Sequence, residues 1–219
     1  VSQAVAAGVV AGVLAVFSPA WRLSRGWVTL AHELGHALSA IVAEGRVRRI
    51  RVSFDTSGVT EWSGASVERR IPRGFVAWWG HPAPGALAVG LAVGVGLGHE
   101  VVTAAILGGL TAIVAVVWVR SWWGLVVSGV LGVAASLAAT TGESVAAGVV
   151  SAVAVLWALG GLRAAIGSAR HVRRSDGSDQ AVLAEVLWLP VAFWAVTMIV
   201  ISGAAVAATG ALLLPVLTT

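Results

Sequence analysis

The sequence predicts an all-α polytopic membrane protein, with about seven transmembrane helices and a small membrane-associated β-hairpin after the second. Three observations carry that expectation. Hydrophobic residues fill 58% of the 219 positions and charged residues only 11%, and the mean hydropathy is +0.92, outside the balance of a soluble globular domain. Apolar runs near the roughly 20 residues that a bilayer-crossing helix needs recur along the whole length. The positive charge comes from 14 arginines and no lysine, confined to a few loops, which suits contact with anionic lipid headgroups and offers no nucleic-acid module.

The predicted spans are Ala4–Ala20, Gly26–Ala43, Gly74–Leu97, Val101–Val119, Trp122–Thr140, Ser144–Leu162 and Leu187–Leu214, in a single domain over 1–219. The first is read as a retained span, because no basic n-region precedes it and no small-residue cleavage site follows it. Trp21, Trp27, Trp78, Trp79, Trp118, Trp122, Trp123 and Trp188 fall at or near segment ends, where tryptophan anchors at the bilayer interface. Strict alternation of the loops puts Arg22 and Arg25 on one side and all the other arginines on the other. By the positive-inside rule the N-terminus and the loops 44–73 and 163–186 are then cytoplasmic, and the C-terminus is outside.

Within the loop 44–73, Ile50, Val52 and Phe54 alternate with Arg49, Arg51, Ser53 and Asp55 ahead of Thr56-Ser57-Gly58. That alternation predicts a β-hairpin against the membrane surface. Its strand edge is either an inert headgroup-contacting feature or a place where an extended substrate pairs. The third span contains Gly80-His81-Pro82-Ala83-Pro84-Gly85, which should break the helix, a feature tolerated at membrane depth only beside protein or a water-filled cavity. His81 is therefore a candidate lining residue. Pro190 should separate a short helix from the last span.

The chemistry sits in Ala31-His32-Glu33-Leu34-Gly35-His36-Ala37. On a helix His32 and His36 are one turn apart on one face, so both imidazoles reach one divalent ion, with Glu33 beside them to take a proton from water. Ionisable groups inside an apolar segment are costly, and there they mark a functional site. Cysteine is absent, so the ligands to Zn²⁺ must be nitrogen and oxygen, and a catalytic zinc wants a third protein ligand. Asp176 and Asp179 are the remaining candidates on the cytoplasmic side. Asp179 is assigned the role because it directly precedes the apolar run Ala181-Val182-Leu183-Ala184, whereas Asp176, the alternative ligand, follows Arg173-Arg174; the competing role for Asp179 is a helix cap. His81 is the next residue to test.

These residues resemble the site-2 protease family of intramembrane zinc metalloproteases, and more closely its small bacterial branch without a PDZ domain. The resemblance runs from His32-Glu33-Leu34-Gly35-His36 through the basic hairpin and Gly80-His81-Pro82 to Ser178-Asp179-Gln180-Ala181. The family's usual Asn-x-x-Pro and Leu-Asp-Gly elements are absent, and His81 stands where a tyrosine is expected. The resemblance implies zinc held by two histidines and an aspartate. It also implies cleavage of membrane-protein substrates in or near their transmembrane segments, in the bacterial cell membrane, with the active site nearer the cytoplasm.

Two other classes compete. A scaffold of the same fold would bind partners without hydrolysis, and Glu33 would then be dispensable. A metal transporter would carry ligating residues at successive depths on several spans, whereas here they concentrate on one.

Overall fold

The computed structural model describes residues 1–55, 57–64, 67–171 and 177–218. In chain order the elements are α1 (Ser2–Phe17), α2 (Trp21–Val42), β1 (Arg46–Val52), β2 (Gly58–Ser63), α3 (Arg70–Trp79), α4 (Pro82–Gly96), α5 (Glu100–Val117), α6 (Trp122–Thr141), α7 (Glu143–His171), α8 (Asp179–Leu187) and α9 (Val191–Leu217). The predicted hairpin forms, and the break before Pro82 is real. Pro190 separates α8 from α9 as expected.

The predicted count of seven spans is not reached. Among the described residues four helices, α5, α6, α7 and α9, are long and apolar enough to cross a membrane. A fifth span arises only if α1 and α2 are taken as one, and they are bent by 101° to each other. α4 is apolar but shorter, because the predicted third span is two helices, α3 and α4. The predicted second span differs for another reason: across its two middle turns α2 brings Thr29, His32, Glu33 and His36 to one side. Its other side carries Leu30, Ala31 and Leu34 toward α4, α5 and α7.

The direction of α1 corrects the predicted alternation. Gly8 and Gly12 let α1 pack on the α7 backbone: a Cβ at Gly12 would stand 2.7 Å from the Ala152 carbonyl oxygen, and one at Gly148 would stand 3.2 Å from that of Ala4. Contacts thus advance from Ala4 and Gly148 to Gly12 and Ala152, and then to Val16, whose carbonyl accepts from Arg163. The two helices run parallel, so the N-terminus lies at the end opposite Arg163. The turn between α1 and α2 lies beside Arg163, whose guanidinium rests 4.7 Å from the Trp21 ring. Arg25 in turn donates to the Asp55 carbonyl at the hairpin tip. Arg22 and Arg25 therefore share the arginine-rich end, and the alternation failed because α2 does not return across the bundle.

The other long helices follow from this frame. α4 runs from the arginine-rich end alongside α9, with Gly85 against Ala205 and Gly96 against Leu212. α5 and α6 form a hairpin whose turn meets β1: Ile50 donates to the Trp118 carbonyl at 2.8 Å, and Arg120 donates to the Ile50 carbonyl at 2.9 Å. Ile50 and Val52 are fully buried among Leu30, Ala37, Val114, Val119 and Val127, each contributing about 1.5–3 kcal/mol by removal from water. β1 pairs antiparallel with β2, Ile50 opposite Thr60. On the outer face Arg49 pairs with Glu61 at 2.7 Å and holds that carboxyl below the usual range. The hairpin thus packs along α2 and the α5–α6 turn.

Candidate metal centre

Helical spacing alone brings His32 and His36 together on α2, with their Nε2 atoms 3.1 Å apart. The His36 ring is oriented from behind: its Nδ1 donates to the Val76 carbonyl of α3 at 2.8 Å, which leaves Nε2 as the lone-pair nitrogen facing its neighbour. α3 approaches this closely because residue 80 is glycine. A Cβ there would stand 2.5 Å from His36 Nε2 and 2.7 Å from His32 Cε1, filling the space in front of the two nitrogens.

Asp179 comes from the first turn of α8. Its Oδ2 lies 3.2 Å from His32 Nε2 and its Oδ1 lies 3.3 Å from His36 Nε2. The competing cap role is filled by another residue, since the Ser178 side chain accepts from the Ala181 amide at 3.3 Å and is the N-cap of α8. Asp176 lies outside the described residues.

His81 also joins the group. It is 7% exposed, and its Nε2 lies 3.8 Å from Asp179 Oδ2. Gln180, fully buried, accepts from the Ser168 hydroxyl at 3.2 Å. That bond turns the Gln180 amide nitrogen toward His81 Nε2, 3.4 Å away, giving the His81 lone pair a partner of its own. Glu33 is 3% exposed and one of its oxygens stands within 4.8 Å of the His32 and His36 nitrogens.

The donor set fits a divalent ion. Zinc ligands at about 2.0–2.1 Å in a tetrahedron are separated by roughly 3.3 Å along each edge; the His32 and His36 Nε2 atoms are 3.1 Å apart, and the Asp179 carboxylate spans them with one oxygen near each. The group opens into a cavity of about 930 Å³ whose lining includes Glu33, Thr60, His81 and the exposed Ser57, Val59 and Gly177, so water can enter.

His32, Glu33, His36, Asp179 and His81 are all brought together here. Sequence reasoning missed Thr60, Gln180 and the steric role of Gly80. Alternation along β2 does put Gly58, Thr60 and Trp62 on one face, but which helix that face meets is set by tertiary packing.

Comparison with family models matches the chain over residues 5–209 to one described as Peptidase M50B-like. No curated protein and no solved structure matches.

Proposed function

The chain belongs to the Peptidase M50B-like family, the site-2 protease family, and from that premise we propose that it is a zinc-dependent intramembrane endopeptidase. It hydrolyses peptide bonds in or near transmembrane segments of other membrane proteins. The observation that carries this reading is the convergence of His32, His36 and Asp179 at 3.1–3.3 Å with Glu33 alongside.

His32, His36 and Asp179 would hold the metal. When bound, zinc supplies a Lewis acid that activates water and polarises a peptide carbonyl. Glu33 is the base that takes the proton from the attacking water and returns it to the leaving amine. His81 faces the same space, and we assign it to the carbonyl side of the cleaved bond; its engagement with Gln180 favours Asp179 over His81 as third ligand.

The single domain sits in a bilayer with α1, α4, α5, α6, α7 and α9 crossing it and α2 lying across the bundle near the arginine-rich end. Six crossings, in place of seven, rest on α1 running parallel to α7 toward the arginine-rich end and α4 running from that end beside α9. The positive-inside rule puts the arginine-rich end, and with it the cavity mouth, in the cytoplasm of a bacterial cell.

The test is metal analysis joined to proteolysis. Purified protein should bind about one Zn²⁺ and cleave a quenched fluorescent single-span peptide, and His32→Ala with His36→Ala should abolish both. Zinc binding with no cleavage of any peptide in such a library would favour the scaffold reading.

A further inference from the structure

We infer that Thr60 is a positioning residue for Glu33, a role that rests on the proposed proteolytic reading of this site. The Thr60 hydroxyl lies 2.7 Å from Glu33 Oε2 and 2.9 Å from the Glu33 backbone carbonyl. One hydroxyl has one proton to give. The backbone carbonyl lies inside α2, where the helix ladder already supplies a donor, and the carboxyl oxygen is the nearer of the two acceptors. The proton therefore goes to the carboxylate.

The neighbour on the same face of β2 shapes the other side. A Cβ at Gly58 would overlap Glu33 Oε1 and crowd Thr29 at 2.7 Å, so a side chain at 58 would displace the Glu33 carboxylate from its present position. Gly58 makes room for one oxygen and Thr60 holds the other. A glutamate has three side-chain torsions, and in a cavity of about 930 Å³ its carboxylate has space to turn away from the His32 and His36 nitrogens. Fixing one oxygen from β2 restricts the turning of the carboxylate beside the His32 and His36 nitrogens, which is preorganisation of a base by a neighbouring hydroxyl. The hairpin is thereby part of the catalytic apparatus.

The experiment compares Thr60→Val, which keeps shape and strand preference, with Thr60→Ser, which keeps the hydroxyl. The readouts are bound zinc, kcat and KM on the best-cleaved peptide of a quenched fluorescent library of single-span peptides, and melting of the metal-free protein in detergent. Thr60→Val should retain zinc, keep KM within about twofold and lower kcat about 10- to 100-fold, the loss expected for a hydrogen bond to a charged group. Thr60→Ser should recover kcat to within about threefold. In metal-free protein Thr60→Val should lower the melting temperature, and it should do so much less in a Glu33→Ala background. Wild-type kcat in Thr60→Val, zinc loss in that variant, no rescue by serine, or additive melting shifts would each overturn the role. If the wild-type chain cleaves nothing, the protease reading fails, and the melting cycle still decides whether Thr60 holds Glu33.

Discussion

Asp179 Oδ2 stands 3.2 Å from His32 Nε2, which joins the first turn of α8 to the middle of α2. Ser178 caps that turn, so the carboxylate is free for the histidines and the two roles separate by mutation. Asp179→Asn should reduce bound zinc at least tenfold, because an amide is a much poorer zinc ligand than a carboxylate. Ser178→Ala should keep the zinc and lower stability by about 1 kcal/mol, the usual worth of an N-cap. Metal titration and thermal melting of both variants read this; equal zinc in Asp179→Asn and wild type would remove Asp179 from the ligand set and bring His81 forward.

Glu33 neighbours both histidines, and in the proposed mechanism it serves as the base and does not hold the ion. Glu33→Gln should therefore leave zinc stoichiometry unchanged while cleavage falls by about 10²–10⁴-fold, the typical contribution of a positioned base. Persistent cleavage at the wild-type rate would mean that a different residue accepts the proton.

The candidate metal site was legible where it depended on local spacing. His32, Glu33 and His36 follow from one helical turn, and Asp179 follows from lying where a polar segment meets an apolar run. The break at Gly80-His81-Pro82 was legible because two prolines and flanking glycines leave no continuous helix. Thr60 and Gln180 were not, since a strand face and a buried amide acquire meaning only from the helix they meet. The direction of α1 was lost for another reason. Alternation assumes that every apolar run crosses, and Gly26–Ala43 was counted as crossing although Thr29, His32, Glu33 and His36 recur along one side of it. That recurrence was the available sign that the helix lies across the bundle.

The corrected direction of α1 is open to a labelling experiment, because the chain has no native cysteine. Single cysteines at the exposed Gln3, Ala20, Ser57 and Thr141 should divide into two pairs with a membrane-impermeant thiol reagent. Ala20 should label from the same side as Ser57, and Gln3 from the same side as Thr141. Labelling of Ala20 from the side of Thr141 would restore the alternation and put Arg22 and Arg25 across the membrane from the hairpin.

The narrowest constraint in the site is the absence of a side chain at residue 80. A methyl group there would stand 2.5 Å from His36 Nε2 and Cε1 and 2.7 Å from His32 Cε1, well inside van der Waals contact. The His36 ring cannot yield by rotating, because its Nδ1 is tied to the Val76 carbonyl at 2.8 Å, and rotation would strand a buried donor. Either α3 moves away from α2, or the histidine pair opens and the three-donor set loses its spacing. Gly80→Ala should therefore weaken zinc binding at least tenfold and destabilise the protein by about 1–3 kcal/mol, the cost of overpacking a filled site. Gly90→Ala is the control: it lies on α4, with nothing within 4 Å of the position of its Cβ, and it should leave zinc affinity unchanged and stability equal or slightly higher, as alanine favours helix over glycine. Equal zinc affinity in Gly80→Ala and Gly90→Ala would mean that α3 does not press on the histidine pair as closely as these distances require.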